Sequence, residues 1–189
     1  MRNALIVTPR AEDLEWFKED LAKLNIEEMP VARSAGEARR ILIERVFDLL
    51  VINAPLPDEN GIRLAVDVIG GKANQVILMV KREYADEIAA KVEDYGVFTV
   101  EKPLTHAAFW LALKMTSAAF NRTKSFISEN DRLKKSLADI RLVNRAKCLL
   151  IEKLGLSEEM AHKEMEKLAM DNRLEKVELA KRIIAKYED

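Results

Sequence analysis

Cysteine is almost missing from this chain. Among 189 residues there is one, Cys148, so no intramolecular disulfide can form and a reducing compartment is expected. Its expected place is as a small apolar residue in a helix core. Only five prolines and six glycines interrupt the chain, and neither occurs between residues 105 and 154. No apolar run approaches the roughly 18 residues that span a bilayer. The apolar stretch in MRNALIVTPR is too short for a signal-peptide core, so a cytoplasmic location is expected, with no membrane partner. Two histidines and one cysteine give no metal-ligand spacing, and there is no HExxH and no glycine-rich phosphate loop. No catalytic residue, metal or cofactor is therefore expected, and the chain does not read as an enzyme.

What is present is an even mixture of apolar and charged residues. Apolar residues make up 49% and charged residues 33%, enough for proper cores in one or two domains. The net charge is only −1, but it is unevenly distributed. Between Arg132 and Lys153 there are seven basic residues against two acidic ones, a local field that attracts phosphate.

Residues 1–105 alternate between short apolar runs and amphipathic segments. Residues 3–8, 30–32, 48–53, 75–80 and 97–100 read as strands, mostly rich in Val, Ile and Leu. Residues 14–24, 35–45, 62–69 and 84–94 carry apolar residues at spacings of three and four, the helical period. Such alternation predicts an α/β fold, a parallel five-stranded sheet covered on both faces, with ligand sites at the carboxyl ends of the strands.

The order and lengths, with Pro57 and Gly61 after the third strand and Lys102-Pro103 after the fifth, resemble the receiver domain of two-component response regulators. The resemblance implies a flavodoxin-like sheet and a phosphoacceptor pocket, and this sequence departs from the pattern at the chemistry. Asn53 stands where a receiver needs a carboxylate nucleophile, and an amide cannot form an acyl phosphate. The first strand ends Val7-Thr8-Pro9-Arg10, with no acidic pair to hold Mg²⁺. Val80 takes the place of the expected hydroxyl, and only Lys102 remains. Thr8, Asn53, Val80 and Lys102 thus mark a degenerate phosphoacceptor pocket in a pseudo-receiver that is not expected to be phosphorylated. Glu12 and Asp13 are expected in the first turn of a helix, where carboxylates complement its dipole. Lys102 either hydrogen-bonds the Asn53 side-chain oxygen as a latch or only fixes the turn into the next helix.

The breaker-free stretch from 105 to 154 predicts one long helix, or two with little interruption. Phe109, Leu113 and Phe120 are spaced to pack its first part on the sheet. Further on, Ala119, Phe126, Leu133 and Ile140 fill one heptad core position, and Thr123, Asn130, Leu137 and Asn144 the other. Polar residues in such a seam weaken it but set register and partner number, so a homodimer is expected through Phe126, Asn130, Leu133, Leu137 and Ile140. The alternative is an amphipathic helix lying on its own domain.

The last fifty residues contain Arg145-Ala146-Lys147-Cys148-Leu149-Leu150, then Gly155-Leu156-Ser157-Glu158-Glu159 with Ala161-His162, then Ala169-Met170-Asp171, and Ala180 before Ile183-Ile184. In order and spacing this segment resembles the ANTAR family of RNA-binding antiterminator domains. The resemblance implies a three-helix bundle that binds paired RNA hairpins in a nascent transcript and prevents a terminator from forming. Gly155 is placed to end the first helix, Ser157 to cap the second, and the third is expected from about 175 to 187. Leu149, Leu150, Leu154, Leu156, Met160, Met165, Leu168, Ala169, Val177, Ala180, Ile183 and Ile184 supply a small core, with Ala146 and Ala161 as packing residues. Arg145 and Lys147 are the expected RNA contacts, joined by Arg141 and Arg173, because guanidinium forks onto phosphate or stacks on a base. His162 is expected solvated or facing the bundle, and His106 begins a helix without a catalytic partner.

The expected organisation is a pseudo-receiver at 1–118, a coiled-coil linker helix at 119–138 and an ANTAR domain at 139–189. With phosphorylation lost, control is expected from a regulatory partner protein that masks the helix or the basic face, or from protein concentration alone. Two other classes compete: a DNA-binding relative of response regulators and a protein-interaction scaffold. Acidic residues at the start of the second C-terminal helix oppose the first, since a recognition helix needs basic or amide residues there. The scaffold predicts no salt-dependent nucleic-acid binding.

Overall fold

The computed structural model describes residues 1–188, which divide into a compact unit from Met1 to Lys124 and a second from Ser125 onward. In the first unit, β1 (Ala4–Val7), β2 (Val31–Ala32), β3 (Phe47–Asn53), β4 (Ala73–Lys81) and β5 (Val97–Lys102) form one parallel sheet in the order β2-β1-β3-β4-β5. This is the flavodoxin-like arrangement, in which the strand order reverses beside β1 and leaves a crevice there.

Helices cover both faces, which explains why the central strands are apolar throughout rather than alternating. On one side α2 (Ala35–Glu44), α3 (Ile62–Val68) and α4 (Ala85–Val92) pack Ala38, Leu42, Leu64, Ala65 and Val92 against Leu50, Ile52, Leu78 and Val80. On the other, α1 (Leu14–Ala22) and the start of α5 (His106–Leu154) bring Phe17, Leu21, Phe109 and Leu113 onto Ile6, Val51, Ile77 and Met79. Phe109 and Leu113 are fully buried, as their spacing predicts, while Phe120 is only partly so. The period-2 alternation of β3 sends Ile52 to the first layer and Asn53 to the second, beside α1 and α5.

The loop after β3 is firmly held. Gly61 has φ of +81°, and a Cβ there would meet Ile52 Cγ2 at 3.0 Å, so both backbone and space call for glycine. Asp58 accepts hydrogen bonds from the backbone N–H groups of Ala35 (2.9 Å) and Gly36 (2.8 Å) at the start of α2. Those N–H groups, Gly36 first, hold the Asp58 carboxyl below its ordinary range. Glu59 accepts from the Leu64 N–H at 3.0 Å and pairs with Arg39 at 2.8 Å.

The second unit contains the end of α5, α6 (Glu158–Asp171) and α7 (Lys176–Tyr187). Gly155, with φ of +64°, follows the last residue of α5. Ser157 accepts from the Met160 N–H at 3.3 Å and caps α6, as the sequence predicts. The α6–α7 turn is closed by Leu174 N–H to Ala169 O (2.9 Å) and Arg173 N–H to Met170 O (3.1 Å), with Arg173 at φ of +52°. Ala146, Leu150, Ala161, Met165, Ala169, Leu179, Ala180 and Ile183 form the core. Three expectations are corrected here. Leu154 and Met160 are about half exposed, because one lies at the far end of α5 and the other on the outer face of α6. Cys148 is exposed, since it projects from α5 on the side away from Ala146 and Leu150. From Asn121 to Ala138 every α5 residue is exposed, and Phe126, Leu133, Leu137 and Ile140 are each more than half exposed.

Candidate nucleic-acid interface and the receiver pocket

The carboxyl end of β3 carries the altered pocket. Asn53 is almost fully buried, and its Nδ2 donates to Thr8 Oγ1 at 3.0 Å and to Asp13 Oδ2 at 2.7 Å. Asp13 thus has a different role from the one its position suggests. It precedes α1 but makes no side-chain cap bond, and its carboxylate instead receives the amide. Lys102 does not latch the Asn53 side chain; its Nζ donates to the Ala54 carbonyl. Burial first, then the neighbouring Arg10 and Lys81 charges, push the Lys102 ammonium down to about 8, with Asp13 acting in the opposite direction. Val80 does not line the pocket. It lies in the opposite apolar layer, because strand alternation turns it away from Asn53, and the cation felt at the pocket is its neighbour Lys81.

A cavity of about 310 Å³ opens beside these groups, lined by Arg10, Asp13, Trp16, Phe17, Asn53, Lys102, Pro103, Leu104 and His106. Sequence reasoning about receiver positions points to Asn53 and Lys102 but misses Arg10, Trp16 and His106, which tertiary packing brings in. His106 stacks near Trp16, ring centroids 4.9 Å apart, with its Nδ1 3.4 Å from a carboxylate oxygen of buried Asp20. Among the described residues, no group of three or more His, Cys, Asp or Glu could hold a metal ion.

In the second unit the expected RNA contacts fall on different faces. Successive helical residues turn by about 100°, so Arg141 and Arg145 are about 40° apart whereas Arg145 and Lys147 are about 200° apart. Lys134, seven residues before Arg141, shares the Arg141–Arg145 face. Arg145 Nε is paired with Glu188, which holds the guanidinium charged. Lys147 is largely covered and pairs with Glu158 at 2.9 Å, lowering that carboxyl. Lys134, Lys135, Arg141 and Arg173 make no ion pair among the described residues. Lys147 instead lines a groove of about 380 Å³ with Ile140, Val143, Asn144, His162 and Met165. A residue expected to touch RNA and one expected to touch a second copy, Ile140, thus share one groove. His162 is exposed, with Nε2 3.3 Å from Glu166, which also pairs with Lys176 at 2.8 Å.

Residues 131–184 match the ANTAR domain family. The C-terminal unit carries an ANTAR domain. The match begins inside the segment expected as a linker and before residue 139, while the compact units divide at Lys124 and Ser125. The chain is similar to transcriptional regulatory protein PdtaR of Mycobacterium tuberculosis, 26% identical over 168 residues that cover 86% of this chain and 82% of that protein. Ahead of the ANTAR domain the fold is that of receiver domains. A response regulator receiver domain protein from Clostridium thermocellum aligns at 21% identity and a TM-score of 0.55, over 67% of this chain and 99% of that one. The signal receiver domain of an HD domain-containing protein from Pseudomonas fluorescens aligns at 22% identity and a TM-score of 0.55, over 66% and 92%. Among the described residues no helix is long and apolar enough to cross a membrane.

Proposed function

We propose that this chain is a cytoplasmic transcription antitermination regulator that binds hairpin RNA in a nascent transcript through its ANTAR domain. The observation that carries the reading is the ANTAR match over residues 131–184, and the relative spanning both units is named a transcriptional regulator. Arg141 and Arg145, with Lys134, meet the RNA backbone from one face of α5. Lys147 contributes from the groove and Arg173 from the α6–α7 turn. The binding is electrostatic at its base, so it weakens as salt rises.

The receiver-like unit works without phosphorylation. Asn53 offers an amide in place of a nucleophile, and that amide already satisfies Thr8 and Asp13. The exposed stripe of Phe126, Leu133, Leu137 and Ile140, with Asn130 between, supports a homodimer through α5. Two hairpins held by two copies would make the second contact effectively intramolecular. Control then comes from a partner protein that covers α5 or the basic face, or from protein concentration.

Selection from a pool of randomised RNAs bearing two short-loop hairpins, with a matched DNA pool, tests the function. Enrichment of RNA hairpins by the full chain, lost in Arg141→Ala/Arg145→Ala, is the expected result. Enrichment of DNA, or of neither pool, contradicts the proposal. Incubation with acetyl phosphate and Mg²⁺ tests the receiver: no gain in mass is expected, and a stable phosphoprotein contradicts it.

A further inference from the structure

The receiver-like unit retains a charged cavity although the group that would use it for phosphoryl transfer is gone. Arg10 is exposed at its mouth and makes no ion pair among the described residues. Lys102 is half-buried, and its only hydrogen bond there is to the Ala54 carbonyl. The sole carboxylate in the lining, Asp13, has one oxygen engaged by the Asn53 amide at 2.7 Å. A second opening of about 350 Å³ is also lined by Arg10, Asn53 and Lys102, so these three side chains stand between two accessible spaces. A cation taken partly out of water beside other cations, with its carboxylate neighbour Asp13 shared with the Asn53 amide, is unfavourable by itself. The depressed Lys102 ammonium records that imbalance.

The far wall is apolar and rigid. Trp16 is held against Phe17, His106 and Phe109 at centroid distances of 4.3, 4.9 and 5.2 Å. The cavity, at about 310 Å³, lies within the range of small-molecule sites, roughly 300–1,000 Å³. It combines a few convergent polar groups with an aromatic surface, the usual composition of such sites.

We propose that this cavity binds a small organic anion reversibly, its carboxylate or phosphate oxygens on Arg10 and Lys102 and its apolar body against Trp16. No bond forms or breaks, because Asn53 offers no nucleophile. The inference is independent of RNA binding by the ANTAR domain. Since His106 opens α5, an occupied site touches the first turn of that helix.

Tryptophan fluorescence of the full chain, titrated with inorganic phosphate and with benzoate at constant ionic strength, tests it. Saturable quenching by at least one probe is expected, and which probe acts separates a phosphate from an aromatic carboxylate. Arg10→Gln, at an exposed position that leaves the core untouched, should weaken that binding about ten- to a hundredfold, the scale of a lost charge-assisted hydrogen bond. Lys102→Gln should do the same, with an unchanged melting profile as the check on folding. Affinity should fall from pH 7 to pH 9, because the free protein loses the Lys102 proton near 8. No saturation by either probe, or saturation that Arg10→Gln leaves unchanged, overturns the proposal.

Discussion

In the receiver-like unit, five strands lie between two layers of helices, and the polar groups of interest are buried at one edge of that frame. In the ANTAR unit, three helices share a core of small and medium side chains, and nearly every candidate contact lies on the surface in an ion pair or free. The first unit has the fold of receiver domains and carries a buried amide, Asn53, at the end of β3. A sheet core constrains many residues at once, whereas a buried pocket changes character with one amide. Under the proposed function, the second unit needs packing only to hold charges at the right spacing, and the question there is one of helix faces.

The largest expected effect tests the shallower core. Leu150→Ala should destabilise the ANTAR unit by about 2–5 kcal/mol, measured by urea unfolding followed by far-ultraviolet dichroism, and RNA binding should be lost with it. A loss below about 1 kcal/mol would mean that this core carries little of the unit's stability. Next is the pocket. Asn53→Asp replaces an amide donor 2.7 Å from Asp13 with a second carboxylate, and should cost about 1–3 kcal/mol at neutral pH. The loss should shrink on acidification, where a proton between the carboxylates restores a donor; a loss that grows on acidification would refute this account of the pocket.

Smaller effects probe the surface. Arg173 occupies a left-handed position that costs a side-chain-bearing residue about 1 kcal/mol, so Arg173→Gly should gain about that much stability while weakening RNA binding. Tighter RNA binding by that variant would remove Arg173 from the interface. The smallest change expected is a two- to fivefold tighter RNA complex in Glu188→Gln, because an exposed carboxylate competing for Arg145 is a weak rival to phosphate. Weaker binding by Glu188→Gln would show that the pair positions Arg145 instead of occupying it.

Much of this was legible in the sequence for simple reasons. Strands buried on both faces leave unbroken apolar runs, and amphipathic helices leave spacings of three and four, so every strand and helix of the first unit lies close to its expected range. Gly155 and Ser157 mark helix ends through backbone needs that are local. Faces and neighbours were less legible. Arg145 and Lys147 look adjacent in the chain but point to opposite sides of α5, and Cys148 reads as core only if its helical phase is ignored. Arg10, Trp16 and His106 meet at the pocket through the sheet's crossovers, which no short motif encodes. Asp13 shows the same limit: its place before α1 suggests a dipole contact, and only the approach of β3 gives it Asn53.

The most direct test of RNA recognition is fluorescence anisotropy of a labelled two-hairpin RNA from the selected pool, titrated with the full chain at two salt concentrations. Arg141→Ala/Arg145→Ala and a duplex DNA of matched sequence would run alongside. The account predicts binding that weakens with salt, falls sharply in the variant and is poor for DNA. Equal affinity for the DNA duplex, or RNA binding that the variant leaves intact, would contradict it.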